Sequence, residues 1–195
     1  MFDKAWSYEY EKNKEVAPGK LLLSEPFMMD ENFSRTVVLI CEHDNENGTL
    51  GLILNRPLKV RLNELVSSLP AFEGNVFLGG PVATDTMQFL HKLGEKIEGS
   101  VKITDGIYWG GNFEQIKILI QNRNIHPGQI AFYVGYSGWG PGQLQRELEE
   151  NSWIISDARA EYVFNYSDQI WKNILKSMGG IYQAIASYPQ NPILN

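Results

Sequence analysis

Thr36-Val37-Val38-Leu39-Ile40-Cys41, then Asp44-Asn45-Glu46-Asn47-Gly48, then Thr49-Leu50-Gly51-Leu52-Ile53-Leu54: this stretch decides the fold. Two runs of β-branched and aliphatic residues on either side of Asn-Gly predict a β-hairpin over residues 35–54. Both turn residues tolerate positive φ, which the tight connection demands. Upstream, Ala17-Pro18-Gly19 ends a polar lead-in (residues 1–18), and Lys20–Ser24 reads as a first strand. Downstream, Leu62, Leu65, Val66 and Leu69 fall at helical spacings within 58–69, and Pro70 ends that run.

The remaining elements alternate. Asn75–Leu78, Met87–His91 and Val101–Thr104 read as strands, and Asp105-Gly106 makes a turn before Ile107-Tyr108-Trp109. A helix follows with Asn112 as N-cap and Gln115 three residues on, a capping-box pattern. Gln129–Val134 is a buried-strand pattern that empties into Gly135-Tyr136-Ser137-Gly138-Trp139-Gly140-Pro141-Gly142 and then a helix from Gln143 to about Glu150. Trp153–Ile155 and Tyr162–Phe164 read as short strands. Asp168–Met178 reads as a last amphipathic helix closed by Gly179-Gly180, before an irregular tail at 186–195. Interspersed strands and helices with a hairpin imply a mixed sheet of α/β or α+β class in one domain, residues 1–195.

Composition bounds the function. The chain has 195 residues, 43% of them hydrophobic and 12% aromatic, which is enough bulky apolar surface to exclude a disordered or collagen-like chain. The net charge of -6 argues against binding nucleic acid by phosphate neutralisation. The densest basic group, Lys12, Lys14 and Lys20, sits mostly in the lead-in. A lone cysteine, Cys41, allows neither an internal disulfide nor a multi-thiolate metal site, and within its apolar run it reads as a small buried hydrophobe. The N-terminus lacks a signal-peptide core, and apolar stretches break well short of the ~20 residues that cross a bilayer. A cytoplasmic protein is expected.

Several patterns invite chemistry. In Gly135–Gly142, closely spaced glycines before a helix suit either a tight strand-to-helix crossover or an anion seat on free amides, but no P-loop or dinucleotide spacing is present. Glu42-His43-Asp44 suggests a metal, yet on a strand His43 faces away from both carboxylates, so a His43 paired with a neighbour is the simpler expectation. Ser137, His43 and Asp105 are the members of an imaginable triad, but the serine lacks a nucleophile-elbow context. Arg56, in Asn55-Arg56-Pro57 at a strand end, either forks onto an anion or braces its turn. Glu147, Glu149 and Glu150 read as a solvated helix face.

Taken together, Asn32-Phe33-Ser34-Arg35-Thr36, Glu42-His43, Gly51–Pro57, Phe77-Leu78-Gly79-Gly80-Pro81-Val82, Thr104-Asp105-Gly106 and Gly135–Leu144 resemble the bacterial YqgE/AlgH family, from about Gly19 to Met178. The resemblance implies an α+β fold, with a mixed, largely antiparallel sheet curling toward a pseudo-barrel and flanked by helices. It carries no established activity or cofactor, so no catalytic residue is assigned; the family's label as a transcriptional regulator comes from a genetic association with alginate production. The family's motif positions give a candidate ligand-binding set: Arg35, His43, Asn55, Arg56, Gly79, Gly80, Asp105, Ser137, Gly138, Trp139, Gly140, Gly142 and Gln143. No metal or cofactor is expected. The leading expectation is a binding or regulatory module that engages a protein or small-molecule partner without direct DNA contact, with enzymatic activity left open. The alternative is a small-molecule-binding domain or enzyme with an anion site formed by the Gly135–Gly142 loop and Arg56.

Overall fold

The structure, a computed structural model, describes residues 15–189. In chain order the elements are β1 (Lys20–Ser24), β2 (Val37–Asp44), β3 (Gly48–Ile53), α1 (Leu62–Leu65), β4 (Val76–Leu78), β5 (Val82–His91), β6 (Val101–Thr104) and β7 (Ile107–Trp109). They continue with α2 (Phe113–Gln121), β8 (Ile130–Trp139), α3 (Gln143–Glu149), β9 (Trp153–Asp157), α4 (Ala160–Phe164), α5 (Ile170–Met178) and α6 (Gly180–Ile185). The sheet order is β6-β7-β5-β8-β3-β2-β1-β9, antiparallel throughout, and β4 lies parallel to β8.

Strand β8 is the branch point. Its first half pairs with β5 and β4, and its second half pairs with β3 through Gly51↔Ser137 and Thr49↔Trp139. The sheet does not close, since β6 and β9 end the order unpaired with each other. It does curl: a Cβ built on Gly19, just before β1, would lie 3.1 Å from the Ile103 carbonyl oxygen of β6. This is the α+β, largely antiparallel sheet that the resemblance implies, bent toward a barrel without becoming one.

Alternation explains why Leu21–Leu23 of β1 and Val37–Cys41 of β2 are apolar without a break. Leu21, Leu23, Val37, Leu39 and Cys41 pack with Trp171, Ile174 and Leu175 of α5. Leu22, Val38 and Ile40, pointing the other way, pack with Trp139, Leu144, Leu148 and Trp153. With a side-chain period of two and both faces covered, successive residues of such a stretch are apolar on both sides. Cys41 is 3% exposed, and burial pushes its thiol pKa well above the ordinary value, so it behaves as the buried hydrophobe expected.

Several elements differ from the sequence expectation, and β5 starts at Val82 instead of Met87. The helix over 58–69 shrinks to α1, because Leu58 instead donates its N–H to the Val76 carbonyl at 2.8 Å and Pro57 bridges Phe77. Tyr162–Phe164 belongs to helix α4, not a strand; so short an apolar run has no readable period. Gly180 opens α6 after Gly179, so the glycine pair separates two helices. Strand β8 continues to Trp139, so most of the expected loop is extended backbone. Residues 1–14 of the lead-in, with Lys12 and Lys14, and residues 190–195 of the tail lie outside the described residues.

His91 is fully buried at the end of β5. Its Nδ1 accepts the Leu93 N–H at 3.2 Å, so the ring is neutral and Nε2 donates to the Gly110 carbonyl at 3.1 Å. Burial holds its pKa below the ordinary value, outweighing the Gly110 hydrogen bond. The unfolded chain therefore binds the proton more readily. The resulting stability is full above about pH 6.5 and is lost as pH falls through the lowered folded pKa. In urea titrations between pH 7.5 and 5, His91→Gln should flatten that dependence, which cannot exceed about 1.4 kcal/mol per pH unit for one group. An identical slope in both proteins would refute the assignment.

Candidate functional site

Arg35, Asn55 and Arg56, from segments 20 residues apart, meet at the end of the β2–β3 hairpin opposite its turn. Asn55 ties the two together, accepting the Val37 N–H at 3.0 Å and donating Nδ2–H to the Arg35 carbonyl at 2.9 Å. This clamp holds Arg35 at φ 53, a left-handed conformation uncommon for a residue with a Cβ. The Arg35 guanidinium lies 4.6 Å from the ring centroid of Trp171, a cation–π contact. Its Nη2 donates to the carbonyls of Tyr188 (2.8 Å) and Pro189 (2.7 Å), and its Nε is buried without a partner among the described residues. Arg56 donates through Nη2 to the Ser34 carbonyl, bracing its turn on backbone and not on a carboxylate.

These groups line a pocket of about 330 Å³ whose far wall is Tyr166, Asp168, Gln169 and Lys172, with the tail at Ser187–Pro189 as its rim. Three cations, Arg35, Arg56 and Lys172, face one carboxylate, Asp168, and among the described residues none of the three forms an ion pair. Burial lowers both guanidinium pKa values, yet arginine stays charged, so the pocket holds partly desolvated positive charge in a chain of net charge -6. The sequence pointed to Arg35, Asn55 and Arg56. It missed Lys172, Asp168, Tyr166 and the tail, because four distant segments build this pocket and no local spacing announces it.

The other motif positions serve elsewhere. Gly79 and Gly80 cross β8 backbone to backbone: Gly79 donates its N–H to the Val134 carbonyl at 2.8 Å, and Ser137 Oγ donates to the Gly79 carbonyl at 3.1 Å. A Cβ on Gly135 would lie 2.7 Å from the Val82 carbonyl oxygen, and its φ is 66. Trp139, Gly140 and Gln143 belong to a carboxylate network. Glu147 Oε2 accepts the indole N–H groups of both Trp139 and Trp153 at 2.8 Å, and its Oε1 accepts from Gln143 Nε2 at 2.9 Å. Gln143 Oε1 in turn accepts the Gly140 N–H at 3.1 Å. Glu147 is thus a clamp, which corrects the solvated-face reading; Glu149 and Glu150 are exposed as expected.

The expectation that the glycine loop and Arg56 share a site also needs correction. Gly140 lies beside Gly48, and the length of β3, roughly 16 Å, separates that end from the segment of Arg56. None of residues 135–143 lines the arginine pocket. Gly138 and Gly142 are exposed at that distant end. His43 pairs across the hairpin, its Nδ1 2.7 Å from Thr49 Oγ1. Asp105 is exposed and ion-paired with Lys102 at 2.8 Å. Ser137 is buried on Gly79, so Ser137, His43 and Asp105 each have separate partners and form no triad.

Comparison with known proteins agrees with this architecture. Residues 21–183 match the family described as DUF179, AlgH-like. A UPF0301 protein of Cytophaga hutchinsonii is 45% identical over 182 residues, covering 92% of this chain and all of the relative. One from Chlorobium limicola is 43% identical over 181 residues, 92% of this chain and 96% of the relative. Among solved structures, protein DIP2367 of Corynebacterium diphtheriae superposes with a TM-score of 0.77 at 23% identity, covering 96% of this chain and 100% of that one. The AlgH protein of Pseudomonas aeruginosa gives 0.71 at 24% identity, over 90% and 98%; both share the fold. With the family match spanning most of the sequence and close relatives covered nearly end to end, the chain belongs to the AlgH-like family.

Proposed function

We propose that this chain is a cytoplasmic binding and regulatory module that recognises an anionic group in the Arg35–Asn55–Arg56 pocket and acts without direct DNA contact. The observation that carries this reading is the convergence of Arg35, Arg56 and Lys172 on one pocket with no ion pair among the described residues to neutralise them. Partly desolvated arginines attract anions more strongly than exposed ones, and their planar donor forks favour carboxylate or phosphate. This reading takes from the alternative a small-molecule site at Arg56, apart from the glycine-rich stretch. The net charge of -6 supports action away from DNA.

A thermal-shift panel of metabolite carboxylates and phosphates tests the reading. A ligand at a hundredfold excess over its Kd should stabilise the chain by about 2.7 kcal/mol. Arg56→Ala should abolish the shift while leaving a folded protein, and Lys172→Glu should weaken binding several-fold. A shift untouched by both substitutions would place the ligand elsewhere. A gel shift of random duplex at low salt would overturn the exclusion of DNA.

A further inference from the structure

We infer that the pocket receives a small soluble oxyanion, a carboxylate or a phosphate, on the Nε–Nη2 edge of Arg35, and that this ligand displaces the C-terminal strap Tyr188-Pro189. The inference rests on the anion-pocket reading and adds the atoms that receive the ligand and the segment that yields. Nε and Nη2 form one edge of the guanidinium plane, with two parallel N–H donors spaced to meet two oxygens of one oxyanion. Here that edge is badly used. Both strap carbonyls, Tyr188 at 2.8 Å and Pro189 at 2.7 Å, crowd Nη2, while the adjacent Nε is buried with no acceptor among the described residues. A buried donor without a partner is costly, and a forked oxyanion would satisfy both nitrogens at once.

Two further observations point the same way. Arg35 is held at φ 53 by the Asn55 clamp, and strained backbone that the surroundings enforce is a mark of ligand clamps. The strap is lightly attached. Besides its bonds to Arg35, among the described residues it has one backbone bond, from the Tyr188 N–H to the Ile185 carbonyl at 3.1 Å. Among the described residues its ring contact is a stack of Tyr188 on Phe27 at 5.6 Å, with both residues more than a third exposed. Its carbonyls can exchange Arg35 for water on release; the arginine Nε has no such option while the strap is in place. The strap thus occupies the anion's position without filling it.

The experiment compares the full chain with one ending at Ser187, using inorganic phosphate and malonate as probes in titration calorimetry. Removing the competitor should tighten binding of at least one probe about tenfold, as expected when a self-occupied site becomes fully competent. Arg35→Lys in the shortened chain should lose that gain, because an ammonium cannot fork. Tightening for malonate alone assigns carboxylate, and for phosphate alone phosphate. Either supports the inference. As a check independent of truncation, saturating probe should raise deuterium uptake in the C-terminal peptide of the full chain. Equal or weaker binding by the shortened chain, or unchanged uptake when the full chain binds, overturns strap displacement and leaves the anion pocket standing. No binding of either probe by either chain overturns both.

Discussion

Gly80→Ala should be strongly destabilising, whereas Gly138→Ala, in the same fingerprint, should be close to neutral. At Gly80 the backbone has φ 156, where L side chains are disfavoured, and a Cβ would overlap the Tyr136 carbonyl group and the Ser137 nitrogen. Those are backbone atoms of β8, the strand that joins the two parts of the sheet. They cannot swing aside as a flexible side chain could. Relief would require separating the Gly79–Gly80 segment from β8, with loss of the Gly79 and Ser137 hydrogen bonds. We expect a cost of about 4 kcal/mol or more, a large part of the 5–15 kcal/mol typical of a whole domain. At Gly138 the nearest atom to a Cβ is a Tyr136 ring carbon at 3.4 Å, an ordinary contact, and the residue is exposed in an extended strand. There alanine should change stability by no more than about 0.5 kcal/mol. Denaturant midpoints of the two variants decide the matter. Comparable losses would mean that the glycines serve something other than backbone crossing.

This contrast also says what the sequence could reveal. The hairpin was legible because its signal is local: alternating apolar runs and an Asn-Gly turn lie within twenty residues. The glycine fingerprint was legible as unusual, but its reason was not, since Gly80 is explained only by Tyr136 and Ser137, more than fifty positions away. Arg35, Asn55 and Arg56 stood out as motif positions. Their meeting with Lys172 and Tyr188 depends on α5 and the tail folding back over the open end of the hairpin, which no periodicity encodes. Tyr162-Val163-Phe164 was misread for the opposite reason: a short apolar run carries too little local signal to separate strand from helix. Glu147 was misread because its neighbours Glu149 and Glu150 are exposed and its indole partners lie on two different strands.

Glu147→Ala is accordingly expected to damage the fold more than alanine at any other polar position of α3. The carboxylate accepts three side-chain hydrogen bonds, two of them from tryptophans that are 4% and 2% exposed. Phe33 packs against both indoles, with ring centroids 6.0 Å from Trp139 and 5.5 Å from Trp153, and the indoles meet edge to face at 5.8 Å. The carboxylate therefore fixes the orientation of an aromatic cluster linking β8, α3 and β9. Alanine removes the shared acceptor and lets Gln143, which closes the turn through Gly140, lose its anchor. Hydrogen bonds to a charged acceptor contribute about 1.5–3 kcal/mol each, and α3 is near enough to solvent for water to recover part of the loss. A net cost of about 3 kcal/mol follows. Glu147→Gln separates charge from geometry. Its single amide oxygen can still receive both indoles, but its NH₂ group would face the Gln143 amide donor, so about half the loss is expected. Near-ultraviolet circular dichroism should register reorientation of Trp139 and Trp153 in the alanine variant under native conditions and little change in the glutamine variant. If both variants unfold at the wild-type urea concentration, the carboxylate is a bystander on a solvated helix, and the cluster holds itself together by packing alone.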